Sequence, residues 1–261
     1  LAETLCRLIP CAEAVRFGKS GTDVTSAAIR LARAYTGRER VLICGGYHGW
    51  QDWSVERNLG VPKDVQYLSE RVRSGNLEQA TRAFHERNDV KYNAPQPFFA
   101  AVIVEPECGA PYLRHLRELC DRTGTVLIFD EIITGFRYHL GGAQALYGVT
   151  PDLATFGKAM ANGMPLSAIV GRKDIMKRFE PPDNIFYSGT MFGETLSLAA
   201  AIATIKKMER EDVVGKLRET GKKILTGFWG LAKQHGISED IVTLHGVLSF
   251  LRIKFRDDQI A

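Results

Sequence analysis

Short, unbroken apolar runs recur along the chain at 41–44 (VLIC), 100–104 (AAVIV), 126–130 (VLIFD), 153–156 (LATF) and 168–170 (AIV). They do not alternate with polar residues, so each reads as a strand covered on both faces. Between them apolar residues fall near helical spacing. Val24, Ala27, Ala28, Leu31, Ala34 and Tyr35 form one such stripe, with Gly37 placed to cap its C-terminus. Segments 77–87, 113–122, 195–208 and 213–234 repeat the pattern. Strands alternating with helices predict an α/β fold, a three-layer α/β/α sandwich around a mainly parallel sheet. The last apolar stretch, 246–255 (GVLSFLRIKF), comes after long helices instead of alternating with them. It is expected to be a strand opening a smaller domain, with residues 1–238 as the large domain and 239–261 as the start of the second.

In such sheets ligands bind beyond the carboxyl ends of the strands, so the residues directly after each run are the functional candidates. GGYHGW (45–50) succeeds the first, and there Tyr47 and His48, flanked by glycines, could lay a flat ring against a flat ligand. Packing at a turn is the simpler alternative. Asp130 and Glu131 close VLIFD, so a carboxylate reaches a partly desolvated edge where it needs a cation, either a protonated heterocycle or a base such as Arg137. Lys158 comes after LATF among small residues. An amine short of water is expected to lose its proton more easily and to condense with a carbonyl, whereas a side chain snorkelling to the surface would do neither. Ser20, Gly21 and Thr22 open the helix over 24–35, where free amides can bind an anion or the serine can simply cap the helix.

Composition narrows the partners. Thirty-four basic and 30 acidic residues among 261 give a net charge of +4 without a basic block, which argues against nucleic acid. No apolar run approaches the ~18 residues of a membrane span. Cys6, Cys11, Cys44, Cys108 and Cys120 form no CxxC pair and have no histidine at metal-ligand spacing, so they read as mostly buried free thiols. The first residues lack a signal-peptide pattern, and the cytoplasm is the expected location. The abrupt start and finish suggest a piece of a longer chain.

An anion cradle, a stacking face, a carboxylate seeking a protonated ring nitrogen and an amine seeking an aldehyde together match the groups of pyridoxal 5′-phosphate. In the order SGTDVTSAAIRLARAYTGR, YHGW, VIVEP, LIFDEIITGFR, PDLATFGKAMANGMPLSAIVGR and GTMFGETLSLAAAIATI, the chain resembles the class III pyridoxal-phosphate-dependent aminotransferases of fold type I. The glutamate-1-semialdehyde aminomutase branch is the nearest in pattern.

The resemblance implies that Lys158 forms the internal aldimine and moves the substrate proton, and that Asp130 keeps the pyridine nitrogen protonated. Ser20, Gly21 and Thr22 would hold the phosphate, Tyr47 would cover one ring face, and Ile132, where valine is usual, the other. His48 belongs to the same cofactor set, and Glu105 would stand near the phenolic side. Thr190 would reach the phosphate of a neighbouring subunit, which implies a homodimer. Amino transfer between a small-molecule donor and a carbonyl acceptor would pass through pyridoxamine 5′-phosphate, with residues 51–70 as a closing loop. A decarboxylase or racemase on the same cofactor, or a non-catalytic dimer, would share these motifs. The chain departs from the family at Glu107, where an apolar residue is common, and at Glu194 and Thr195, which stand where asparagine and proline are usual.

Overall fold

The computed structural model describes residues 1–56, 59–85 and 99–255. Its elements in chain order are α1 (Ala2–Leu8), β1 (Ala14–Gly18), α2 (Gly21–Thr36), β2 (Arg40–Cys44), α3 (Lys63–Tyr67), β3 (Ser69–Val72), α4 (Leu77–His85), β4 (Phe99–Val104), α5 (Ala110–Thr123) and β5 (Val126–Asp130). They continue with α6 (Gly142–Tyr147), β6 (Leu153–Phe156), β7 (Ser167–Gly171), α7 (Lys173–Met176), α8 (Thr195–Arg210), α9 (Val213–Gln234), β8 (Val242–Val247) and β9 (Phe250–Phe255). The first sheet has the order β1-β7-β6-β5-β4-β2-β3. Strands β3, β2, β4, β5 and β6 run parallel, and β7 is antiparallel to both β6 and β1.

The unbroken apolar runs are explained by two cores that divide each strand residue by residue. Val41, Ile43, Ile103, Ile128 and Leu153 pack under α2 with its Val24, Ala28 and Leu31. Leu42, Val102, Leu127, Phe129 and Phe156 face the other side, covered by residues of α1, α4, α5 and α8. A strand between two helical layers has no solvent face, so alternation has nothing to select for. This is the expected three-layer sandwich with a mainly parallel sheet.

Three expectations are corrected. Segment 246–255 is not one strand: β8 and β9 pair antiparallel as a hairpin in a sheet of their own. Residues 69 and 70 of the suggested closing loop belong to β3, which pairs with β2. Residues 57 and 58 of that loop, residues 86 and 87 of the helix expected over 77–87, and residues 256–261 lie outside the described residues. Cys6 is exposed, while Cys11, Cys44 and Cys120 are buried as expected. Gly37 does cap α2, in the left-handed conformation with φ 68°. Among the described residues no helix is long and apolar enough to cross a membrane.

Candidate active site

Parallel pairing brings the carboxyl ends of β2, β4, β5 and β6 to one edge of the sheet. Strand β1, antiparallel to β7, runs in the same sense as β6 and delivers the start of α2 to that edge. A cleft of about 440 Å³ opens there, lined by Ser20, Gly21 and Thr22, by residues 47–50, by Asp130 and Ile132, and by Gly157 and Lys158. That volume suits a small flat molecule.

At the start of α2 both readings of SGT apply together. Ser20 is an N-cap in a capping box, its hydroxyl accepting from the Asp23 amide and its own amide donating to Asp23 Oδ2 at 2.8 Å. The box uses the amide of Asp23 and leaves those of Gly21 and Thr22 at the open first turn, facing the cleft end of the helix dipole. Close approach is needed on the other side of Thr22: Gly49 has φ 124°, and a Cβ there would lie 2.5 Å from Thr22 Oγ1.

Asp130 is 3% exposed, yet its partner is not Arg137, whose Nε donates to the Ser249 carbonyl at 2.8 Å. Instead His48 Nδ1 lies 2.8 Å from Asp130 Oδ2, and His48 Nε2 lies 2.9 Å from the Gly45 carbonyl oxygen. Oδ1 accepts from the Ile132 amide at 3.2 Å and from Thr155 Oγ1 at 3.0 Å. The histidine ring is therefore held through both of its nitrogens, between Asp130 and the Gly45 carbonyl, and shares in the lining of the cleft.

Lys158 is exposed in the cleft, so the expected dehydration of its amine is not what sets it apart. Its backbone has φ 38°, a left-handed conformation that a side-chain-bearing residue adopts at a cost of about 1–3 kcal/mol. Its small neighbour has a second use: a Cβ on Gly157 would lie 3.1 Å from Ile132 Cδ1, and one on Gly21 would lie 3.2 Å from Ile132 Cγ1. Both glycines leave room for the isoleucine. Tyr47 is 70% exposed, with a ring free to cover something else.

Two further carboxylates stand behind the cleft. Glu105 lies against Gly46, and burial pushes its carboxyl above the usual range; Asp130 and Glu107 add to the rise, while His48 and the Tyr47 amide oppose it. Glu131 is fully buried and accepts from Thr134 Oγ1, the Ala143 amide at 2.6 Å, the Gln144 amide at 3.0 Å and Gln144 Nε2 at 3.3 Å. It ties the end of β5 to the start of α6. Burial raises its carboxyl too, against the pull of those donors.

Thr190 is exposed and lies outside the cleft of its own chain, on the stretch before α8. The departure at Glu194 has a structural use. Its carboxylate caps α8 through the Leu196 and Ser197 amides and pairs with Lys19 at 2.6 Å. These contacts, Lys19 first, lower its carboxyl to about 2. Lys19 and Trp50 also line the cleft and are not singled out by the sequence; the only signal is their place beside SGT and YHG.

The sequence model of the family Aminotransferase class-III matches residues 1–250. Among solved structures, the chain is similar to the pyridoxal-phosphate internal aldimine form of the FumI protein of Sphingopyxis sp. MTA144 (TM-score 0.88, 27% identity, 98% of this chain and 61% of that one). It is also similar to an omega-transaminase from Sphaerobacter thermophilus (TM-score 0.86, 27% identity, 98% and 62%). A β-phenylalanine aminotransferase from Variovorax paradoxus gives a TM-score of 0.80 at 27% identity over 97% of this chain and 58% of that one. The chain thus spans about three-fifths of the length of these relatives. Its fold is the fold type I transaminase fold.

Proposed function

The chain belongs to the class-III aminotransferases, and from that membership we propose that its cleft holds pyridoxal 5′-phosphate and that the protein transfers an amino group between an amine or amino acid and a carbonyl compound. The observation that carries the reading is the meeting of Lys158, Asp130 and the start of α2 in one cleft. The cofactor, when bound, supplies an aldehyde and a protonated ring that accepts electrons.

The residues present fit that group. Of the roughly four acceptor positions of a carboxylate, Asp130 uses three within the protein, leaving one for a ring-nitrogen proton. The first turn of α2 offers amides and the Thr22 hydroxyl to a phosphate. Tyr47 and Ile132 flank the space between.

In this reading Lys158 Nζ takes the proton from the α-carbon of the substrate and returns it, as general base and then general acid. Asp130 holds the proton on the ring nitrogen, Ser20, Gly21 and Thr22 fix the phosphate, and Glu105 supports the site from behind His48. The homodimer supplies Thr190 to the partner's phosphate end; its exposure outside its own cleft supports this. The aminomutase form of the reaction asks more of the same residues, because the amino group must return to a neighbouring carbon of a molecule that has not left. The hairpin's separate sheet supports a domain boundary near residue 238, and five free cysteines support a reducing, cytoplasmic setting.

The test is optical and chemical. Protein mixed with pyridoxal 5′-phosphate should retain it and gain a visible band, Lys158→Ala should lose that band, and amino donors should convert bound cofactor to pyridoxamine 5′-phosphate. Failure of the native sequence to retain any cofactor would overturn the proposal.

A further inference from the structure

A phosphate brings up to two negative charges, and a cleft that takes it from water gains more from a cation than from neutral amides alone. Two amines line this cleft, those of Lys158 and Lys19. In the reading above Lys158 serves the substrate end, which leaves Lys19, the residue before Ser20. Its ammonium has three hydrogens to give. One goes to Glu194 Oε1 at 2.6 Å and one to Ser197 Oγ at 3.2 Å. Among the described residues the third has no acceptor.

Resting on the pyridoxal-phosphate reading above, we infer that Lys19 is a cofactor-binding residue whose third hydrogen goes to the phosphate, and that Glu194 holds the ammonium in place while offsetting part of its charge. Both partners are anchored. The Lys19 amide donates to Asp23 Oδ2 at 3.1 Å, and Glu194 accepts from the Leu196 and Ser197 amides at 2.8 and 3.0 Å. The ammonium thus joins the segment that opens α2 to the first turn of α8. The two side chains are 19% and 24% exposed, so salt screens the pair less than it would an open surface contact.

The consequence is a pair of effects with opposite signs. Two carboxylates, Glu194 and Asp23, stand beside this one ammonium, and each weakens its pull on an anion. Glu194, its carboxyl lowered to about 2 with Lys19 as the first cause, keeps its charge at any ordinary pH. Loss of the ammonium therefore loosens the phosphate, and loss of the Glu194 charge tightens it. A pair that served only to strap α2 to α8 would loosen the phosphate in both cases.

The experiment titrates the full chain with pyridoxal 5′-phosphate and, separately, with pyridoxal, which keeps the ring and the aldehyde and lacks the phosphate. The ratio of the two affinities isolates the phosphate contact. Lys19→Met should lower that ratio about tenfold, as loss of one charge-assisted hydrogen bond implies. Lys19→Arg, which keeps a cation, should restore most of it. Glu194→Gln, which keeps an acceptor oxygen, should raise the ratio roughly threefold, the scale of a partly exposed charge pair. An unchanged ratio in Lys19→Met, or a fall in Glu194→Gln as well as in Lys19→Met, would show a strap and overturn the inference. If the native chain takes up no pyridoxal 5′-phosphate, the cofactor reading fails, and inorganic phosphate followed by phosphorus NMR decides the role of Lys19. Uptake that weakens in Lys19→Met supports it; uptake that does not weaken, or none at all, overturns it.

Discussion

Glu131 gives the sharpest quantitative prediction, because its carboxylate is fully buried and all of its contacts are visible. Glu131→Ala strands two buried backbone amides, those of Ala143 and Gln144, and frees Thr134 Oγ1 and Gln144 Nε2. The two side-chain donors can turn to other acceptors, but the amides cannot. At about 1–3 kcal/mol for each stranded amide, the loss is about 4 kcal/mol. For a chain of this size that corresponds to a fall in Tm of roughly 8–16 °C. Glu131→Gln keeps one acceptor oxygen and should lose about half as much. The sign of the pH effect comes from burial, which raises the carboxyl in the folded state. Between the unfolded value of about 4.3 and the higher folded one, the native state binds the extra proton, so stability falls as pH rises through that window. Glu131→Gln should remove that part of the slope. Thermal melts of the cofactor-free protein, monitored by near-UV circular dichroism across pH, test both statements. A change in Tm below about 2 °C for Glu131→Ala, or an unchanged pH slope in Glu131→Gln, would refute the account of Glu131 as the latch on α6.

Three other outcomes are expected. Gly49→Ala puts a Cβ against Thr22 Oγ1 at φ 124°, so it should cost about 1–3 kcal/mol in urea melts and weaken phosphate-dependent cofactor uptake more than it weakens the fold. Glu194, lowered to about 2, contributes stability that is present above its unfolded value of about 4.3 and lost as pH falls toward 2; Glu194→Gln should flatten that acid limb, and an identical limb in acid titrations would contradict it. Thr190→Ala should reduce cofactor retention with far-UV circular dichroism unchanged. A monomer, by sedimentation, that retains the cofactor as tightly as the native chain would disprove the shared site.

Legibility in the sequence tracks burial. The expected strands 126–130 and 153–156 coincide with β5 and β6, whose residues are almost wholly enclosed. Helix 213–234 coincides with α9. Strands β1 and β3 escape a reading of apolar runs, because AVRFG and SERV sit at the sheet's two edges and carry charge where an interior strand would carry aliphatics. The hairpin reads as a single strand because Leu248 and Ser249, its turn, contain neither glycine nor proline. At the site, the residues that reach one edge are legible from their place after strands. The partner of Asp130 is not, since His48 is 82 positions away in sequence and only the pairing of β2 through β4 with β5 brings it close.

The left-handed backbone at Lys158 sets selection for stability against selection for chemistry. Glycine, and to a lesser degree asparagine, would occupy φ 38° with less strain and would relieve the fold. A library screened for thermal tolerance alone would therefore enrich changes at a position that lines the cleft with an amine. Stabilising this protein by directed evolution calls for a screen that reports on the amine as well as on the melt.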